Sequence, residues 1–273
     1  GIDNSILGSS AGDALNDADY NTAIGAFALG ADTQGSKSTA IGRGALIAQN
    51  FSSATDSHNT AVGFNCGVSV STGIGNTIMG SLAGDALTDA DYNVALGFEA
   101  LGSDTKGSKS VAIGYNALNA QNFTSSVDSN NTAVGYYAGL NVTTGLKHTL
   151  IGAYAGDAIT SGYENTVVGY AALDAETTGI ENTAIGAFAL SDSNGGSYNT
   201  AVGQNCLADI TSGIQNTAIG IDAGRLATTC QNLVAVGIFA AGQGVVTGNN
   251  NTAIGNSAGA ALTSGANNTF LGH

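Results

Sequence analysis

A short pattern of polar and apolar positions, Asn-Thr-Ala-Ile-Gly or a close variant, recurs along the whole chain. We number each copy by its last residue, which we call the repeat glycine. Most intervals between successive repeat glycines are equal, at seventeen residues; two are longer by four residues and one by a single residue. Because this spacing continues from end to end, the chain is predicted to consist of one repeated structural unit. The 16 repeat glycines are Gly8, Gly25, Gly42, Gly63, Gly80, Gly97, Gly114, Gly135, Gly152, Gly169, Gly186, Gly203, Gly220, Gly237, Gly255 and Gly272.

The four positions before each repeat glycine form columns of similar residues. The residue immediately before it is Ile, Val, Leu or Met (the aliphatic column), and the second before it is apolar in all 16 copies and Ala in 11 (the Ala column). The third is Thr in 12 copies (the Thr column), and the fourth is Asn in 12 (the Asn column). Short β-branched segments bounded by Gly and Asn are typical of strands and turns. The sequence therefore predicts an all-β solenoid of about 16 coils of 17 residues, with Asn side chains forming ladders between coils.

The sequence also repeats with a longer period, which equals the length of four coils. The segment that begins at Gly8 returns at Gly80, and a weaker copy begins at Gly152. We interpret residues 1–273 as a single β-solenoid domain with super-repeats that begin near residues 8, 80 and 152. The two longest intervals, which end at Gly63 and Gly135, are also one super-repeat apart. Their extra residues are expected to form outward loops around Phe51–Asp56 and Phe123–Asp128 without disturbing the coil register.

Strand alternation places the Ala column on the opposite face from the aliphatic and Thr columns. Both faces are apolar, so one lines the coil and the other is expected to meet a second chain. We predict that the aliphatic and Thr columns face the core and that the Ala column faces another chain in a homotrimer. The alternative is a flattened coil whose alanines are weakly exposed. The alanines of the column are Ala23, Ala40, Ala61, Ala95, Ala112, Ala133, Ala184, Ala201, Ala218, Ala235 and Ala253.

The composition excludes several classes of protein. Only 10% of the residues are charged, and the net charge is −14. This acidic balance argues against binding to nucleic acid or to an anionic membrane surface, because both attract Lys and Arg. The longest apolar run is about half of the ~20 residues that a membrane-spanning helix requires. Without an initiator Met or a signal-peptide pattern, the chain is expected to be a processed product or a piece of a longer protein.

Catalytic motifs are not found in the sequence, and we expect no enzyme activity and no cofactor. His148 occupies the Asn column and is interpreted as a substitute within the ladder. Glu164 and Glu181 lie one coil apart, where they would repel each other rather than form a glycosidase pair. Cys66 and Cys206 are interpreted as small buried hydrophobic side chains.

Two acidic segments are considered as metal sites. Asp13, Asp17 and Asp19 recur one super-repeat later as Asp85, Asp89 and Asp91. Oxygen ligands of this kind suit Ca²⁺, but the glycine and glutamate framework of known calcium loops is absent. We therefore predict solvated turn residues and no metal site, with Ca²⁺ binding as the alternative.

Aromatic residues concentrate at the first and second positions after the repeat glycine, between coils six and ten. A stripe of stacked tyrosines offers flat apolar faces and polar tips, which suit sugar rings. The alternative is packing at a corner of the coil or at the edge of a trimer. The candidate ligand-binding residues are Tyr115, Tyr136, Tyr137, Tyr154 and Tyr170.

The repeat resembles two groups of proteins. NTAIG at Asn21–Gly25 and Asn251–Gly255, and SVAIG at Ser110–Gly114, are similar to the NSVAIG motif in the left-handed β-roll of trimeric autotransporter adhesin heads. The period of the repeat is closer to that of tail-fibre-like proteins of phages and marine bacteria. Both resemblances imply a trimeric rod outside a cell that attaches to a surface. We therefore expect an extracellular attachment protein, either the shaft or head of a phage tail fibre on a virion or, as the alternative, a bacterial trimeric surface adhesin head.

The resemblance also implies the partners of the chain. These are two further copies in a homotrimer and a cell-surface receptor, for which the tyrosines suggest a glycan. We expect no nucleic acid and no membrane insertion. Two functions of another class remain open: an ice-binding solenoid, if the Thr column faced water, and a structural filament subunit. The predicted core position of the Thr column argues against the first.

Overall fold

The computed structural model describes all residues 1–273, and it is all-β without any helix. The residues divide into two compact units, Gly1–Tyr136 and Tyr137–His273. In each unit, three-residue strands that end just before a repeat glycine pair in parallel with the strands of neighbouring coils. The predicted β-solenoid, with one coil for each repeat of the sequence, is therefore confirmed. The chain forms no helix that would be able to traverse a lipid bilayer.

The first unit contains eight strands of the main parallel sheet and two small sheets of two strands each. The small sheets pair β3 (Gly35–Ser36) with β5 (Thr55–Asp56), and β9 (Gly107–Ser108) with β11 (Val127–Asp128). The main-sheet strands, in spatial order, are β1 (Ser5–Leu7), β2 (Thr22–Ile24), β4 (Thr39–Ile41), β6 (Thr60–Val62), β7 (Thr77–Met79), β8 (Val94–Leu96), β10 (Val111–Ile113) and β12 (Thr132–Val134).

The second unit contains eight parallel strands in chain order. Each Thr or Val of the Thr column pairs with its counterpart in the next coil, as Thr183 does with Thr200. The strands are β13 (Thr149–Ile151), β14 (Thr166–Val168), β15 (Thr183–Ile185), β16 (Thr200–Val202), β17 (Thr217–Ile219), β18 (Val234–Val236), β19 (Thr252–Ile254) and β20 (Thr269–Leu271).

The two inserts leave the coil register intact, as predicted. Thr39 pairs with Thr60 across the first insert, so the columns remain aligned despite the longer interval. The inserts are not simple outward loops, however. Their ends pair as β3–β5 and β9–β11, and the phenylalanine that begins each insert, Phe51 or Phe123, is buried. The tips, residues 52–54 and 124–126, are exposed, and so are Asp56 and Asp128 at the ends of the paired segments.

The two faces of the main sheet are the reverse of those predicted. Every alanine of the Ala column is 0% exposed within its own chain. The aliphatic column lies on the outside, where Ile185 is 38% and Ile219 43% exposed, and the Thr column shares that face. The prediction that Ala112, Ala133 and the other alanines of the column face another chain is therefore wrong. The prediction that Thr and the aliphatic residues form the core is wrong for the same reason.

The interior of the coil explains why the Ala column is small. It faces the fourth residue after the repeat glycine, which is usually Leu or Gly. Where the Ala column holds Ile or Leu, that opposing position is glycine: a Cβ on Gly84 would touch the Cδ1 of Ile78, and one on Gly156 would collide with Leu150. The two positions share one narrow space, so Ile or Leu in one occurs with glycine in the other, whereas the smaller Val167 fits in a coil that carries Leu173.

Asparagine ladders connect the coils, as predicted. The side-chain Oδ1 of Asn165 accepts a hydrogen bond of 2.9 Å from the backbone N–H of Asn182, one coil later. The Nδ2 of Asn182 in turn donates to the carbonyl oxygen of Gly196 at 2.8 Å. The rungs therefore run mainly from side chain to backbone, and each buried Asn satisfies backbone groups that the turns leave unpaired.

The turns require unusual backbone conformations, and 37 residues other than glycine have positive φ. Phe27 (φ 63°) and Leu29 (φ 50°) occupy two such positions of one coil, and Lys37 (φ 62°) occupies a third before the next strand. Such conformations cost about 1 kcal/mol or more each. Gly97, a repeat glycine with φ 139°, sits so close to the next coil that an added Cβ would collide with the carbonyl oxygen of Gly114.

Candidate functional site

The most extensive candidate surface is the outer face of the main sheet, which we define as the Thr column together with the aliphatic column. It contains no charged residue in any coil. Soluble monomers rarely expose contiguous apolar patches of more than a few hundred Å². The aliphatic residues of this face that are exposed, apart from the first and last strands, are Ile24 and Met79 in the first unit and Ile151, Ile185, Ile219 and Ile254 in the second.

A stack of aromatic rings lies beside this face in the first unit. Phe98, Tyr115 and Tyr136 each follow a repeat glycine in successive coils. The centroids of Phe98 and Tyr115 are 5.4 Å apart at an interplanar angle of 13°, and those of Tyr115 and Tyr136 are 5.3 Å apart at 16°. Both faces of Tyr115 are therefore covered by neighbouring rings.

The aromatic rings of the second unit are arranged differently. Tyr154 and Tyr170 lie 6.0 Å apart at 83°, and Tyr170 and Phe188 lie 5.4 Å apart at 78°. Tyr137 packs against Tyr154 at 5.7 Å and 62°. These rings meet edge to face instead of stacking, and Tyr170 is 52% exposed.

The structure thus sorts the five predicted ligand-binding tyrosines into two groups. It brings Tyr115 and Tyr136 together in one stack, and Tyr137, Tyr154 and Tyr170 together in one edge-to-face cluster. The role of these residues in binding a glycan stays a prediction. Sequence reasoning left out Phe98 and Phe188, although they occupy the same positions after the repeat glycine in adjoining coils.

Buried carboxylates inside the coils are a second feature that sequence reasoning missed. Asp32 and Glu176 are fully buried at the seventh position after a repeat glycine, in coils that carry Leu at the fourth. Glu176 Oε1 accepts hydrogen bonds from the backbone N–H groups of Thr177, Thr178, Gly179 and Gly195. Such saturation with donors is typical of a structural carboxylate, because a buried charge requires compensating hydrogen bonds.

His148 is a member of the Asn column and is 1% exposed. Its Nδ1 accepts a hydrogen bond of 3.3 Å from the backbone N–H of Asn165, the bond that an asparagine Oδ1 accepts elsewhere. Burial lowers the pKa of His148 from 6.5 to about 4, and the carbonyl of Gly162 opposes that shift. The residue takes the place of an asparagine in the ladder, as the sequence predicted, and the lowered pKa makes it neutral at neutral pH.

The acidic segments contribute to contacts between coils. The carboxylates of Asp19 and Asp91 accept the backbone N–H groups of Ile2 and Ile74. No group of three or more His, Cys, Asp or Glu side chains is arranged to hold a metal ion. In the second unit, burial and then the charge of Asp174 raise the pKa of Asp157 to about 6.

The three cysteines lie inside the coils, which confirms the predicted burial of Cys66 and Cys206. Cys66, Cys206 and Cys230 are all fully buried and unpaired. Burial raises the pKa of Cys66 and Cys206 to about 12 and that of Cys230 to about 11. Because the thiolate is the reactive form, burial keeps these thiols in their protonated, weakly nucleophilic form at neutral pH.

A cavity of about 620 Å³ in the last coils of the second unit is lined by apolar and small residues, including Leu262 and Phe270, and by no titratable side chain.

Comparison of the chain with protein-family models, with curated proteins and with solved structures found no match. The candidate function therefore depends on the surfaces described above.

Proposed function

We propose that this chain is the shaft or head of an extracellular attachment fibre, most directly a phage tail fibre, that binds a host surface. A bacterial trimeric surface adhesin head would use the same assembly. In this proposal three copies associate through the outer face rather than through the Ala column, and the partner of the assembled fibre is a cell-surface receptor.

The observation that carries the proposal is the exposed aliphatic column. It is apolar in all 16 coils, and the half-buried Thr column beside it is free of charge. Removing such a surface from water contributes about 25 cal/mol per Å² before the costs of association. The net charge of −14 falls on other surfaces, so charge repulsion does not act within the contact itself.

Two neighbouring residues of strand β10 provide the test. Ile113 lies on the outer face and Ala112 inside the coil. Ile113→Glu places a charge in the proposed contact, where an unpaired buried charge costs several kcal/mol. We expect sedimentation to show weaker assembly with an unchanged circular dichroism spectrum. Ala112→Glu, the matched control, should instead disrupt the coil itself. A wild-type chain that sediments as a monomer at micromolar concentration would refute the proposed assembly.

A second candidate, ice binding, is favoured by one observation. The Thr column lies on the outer face and not in the core, and successive Thr residues keep the same register. Parallel strands repeat at about 4.8 Å, so the hydroxyl and methyl groups form a regular uncharged array. Such an array can order water in a lattice.

Thermal hysteresis of freezing distinguishes this second candidate from assembly. Thr183→Tyr interrupts the array on the outer face, whereas Thr177→Tyr, the control, changes a threonine outside the main sheet. An ice-binding chain should lose hysteresis in the first variant only and should remain a monomer, because assembly through this face would cover the array. Absence of hysteresis in the wild type would reject this candidate.

A further inference from the structure

The aromatic rings of the two units differ in what lies above and below them. In the first unit, bulky rings follow one another in the position after the repeat glycine, and they stack. In the second unit, Tyr170 occupies that position between Ala153 and Ala187 of the adjoining coils. An alanine side chain ends at Cβ, so no ring of its own column covers either face of Tyr170.

The neighbouring position shows the complementary pattern. Tyr154 and Phe188 occupy the second position after the repeat glycine in the coils before and after that of Tyr170, and Ala171 lies between them. Aromatic and small side chains therefore alternate both along the columns and across them. We call this group the aromatic–alanine patch; it comprises Ala153, Tyr154, Tyr170, Ala171, Ala187 and Phe188.

The exposure of Tyr170 agrees with an accessible ring, and its neighbours are arranged differently from those of Tyr115. Both of its aromatic neighbours stand nearly perpendicular to it, at 83° and 78°, so neither lies parallel over its ring. Tyr170 is 52% exposed, compared with 42% for Tyr115, whose two faces are covered. A ring enclosed between parallel neighbours presents only its edge and hydroxyl group to a ligand.

We infer that the aromatic–alanine patch is a carbohydrate-binding subsite in which the C–H face of a pyranose packs on Tyr170, between Tyr154 and Phe188. This inference rests on the proposed attachment function and deepens it by naming the class of ligand. A pyranose has an apolar C–H face bordered by hydroxyl groups, which matches an aromatic face with a phenolic hydroxyl at its edge. The alanines provide the space that the sugar occupies.

Charge defines the class of sugar further. The patch contains no charged residue, and the chain has only six Lys and Arg against 20 Asp and Glu. A negative field around the protein disfavours anionic ligands. The patch therefore fits a neutral glycan and not a sialylated or uronic one. Stacking removes Tyr115 as a platform for a sugar, because Phe98 and Tyr136 cover both faces of its ring.

Saturation-transfer NMR on the intact chain tests the inference with three probes: cellotetraose, lacto-N-tetraose and 3′-sialyllactose. We expect saturation of at least one neutral probe and little of the sialylated one. Tyr170→Ala, which extends the natural run of alanines in that column, should weaken binding by about tenfold, the loss expected for about 1.4 kcal/mol of stacking. Tyr115→Ala is the matched control and should bind like the wild type.

A variant that fills the space beside Tyr170 distinguishes a specific binding site from non-specific adsorption of sugars to exposed aromatic rings. Ala187→Phe adds aromatic surface beside Tyr170 but recreates the stacked arrangement of the first unit, so it should abolish binding. Retained binding in this variant, equal losses in Tyr170→Ala and Tyr115→Ala, or no binding of either neutral probe would each overturn the inference. Sedimentation of the same samples keeps the two proposals apart: an assembled chain without sugar binding rejects only the subsite, whereas a monomer rejects the proposed assembly.

Discussion

Acidification should weaken the second unit through His148, and His148→Asn should remove that weakness. The folded chain holds the pKa of His148 at about 4, compared with 6.5 for an unperturbed histidine. Because the unfolded chain then binds the proton more tightly, stability is complete above pH 6.5 and is lost as the pH falls toward 4. The whole shift corresponds to about 3 kcal/mol, of which about 2.5 kcal/mol is lost by pH 4.5.

The structural reason is the hydrogen bond at Nδ1. A protonated imidazole has no lone pair there, so the buried backbone N–H of Asn165 would lose its acceptor. Asn at position 148 would supply an Oδ1 acceptor that does not titrate, as Asn165 does for Asn182. The variant therefore conserves the ladder and removes only the titration.

Hydrogen–deuterium exchange of the segment around Asn165, together with urea unfolding at pH 7.5 and 4.5, measures the effect. The quantity of interest is the difference between wild type and His148→Asn at each pH, because other groups titrate as well. Asp157, with its pKa raised to about 6, contributes stability that is present below pH 3.8 and lost as the pH rises through 6, which is the opposite sign. Stability curves that run parallel in the two proteins between pH 7.5 and 4.5 would refute the reasoning.

Three further predictions concern the interior. Glu176→Ala should destabilise the second unit by several kcal/mol in urea unfolding, since it leaves the N–H of Gly195 and three others without their acceptor, and Glu176→Gln should cost less. Gly97→Ala should lower the melting temperature, because its φ of 139° alone costs about 1–3 kcal/mol for alanine and the new Cβ collides with Gly114. A thiol reagent should label none of the three cysteines, Cys66 included, in the native chain and all of them in denaturant; labelling of the native chain at neutral pH would contradict their burial.

The period of the sequence predicted most of the fold, but not which face of the strand lies inside. The alternation of side chains along a strand establishes that Ala112 and Ile113 point to opposite sides. It does not show which of the two sides faces the core. The size of the aliphatic residues was misleading, because the inner wall opposite Leu usually has room only for alanine. The informative signal was the pairing of sizes: Ile78 occurs with Gly84, and Leu150 with Gly156.

The candidate site was predictable in position only. Spacing placed the tyrosines in adjoining coils, and they do meet there. Whether rings stack or stand at right angles depends on the residues between them, such as Ala153 and Ala187 beside Tyr170. The buried acceptor Glu176 escaped notice because a lone carboxylate in a repeat does not reveal which backbone N–H groups converge on it.

The residues with positive φ in the turns imply that this fold requires a minimum number of coils. A single coil would have to hold residues such as Phe27 and Leu29 in costly conformations without the ladders that compensate for them. Folding is therefore expected to start from a nucleus of several adjacent coils and to propagate outward, with each new coil templated on the last. Beyond that threshold, length can change by whole coils without redesign of the interior, so the repeat number becomes a property that evolution can adjust freely.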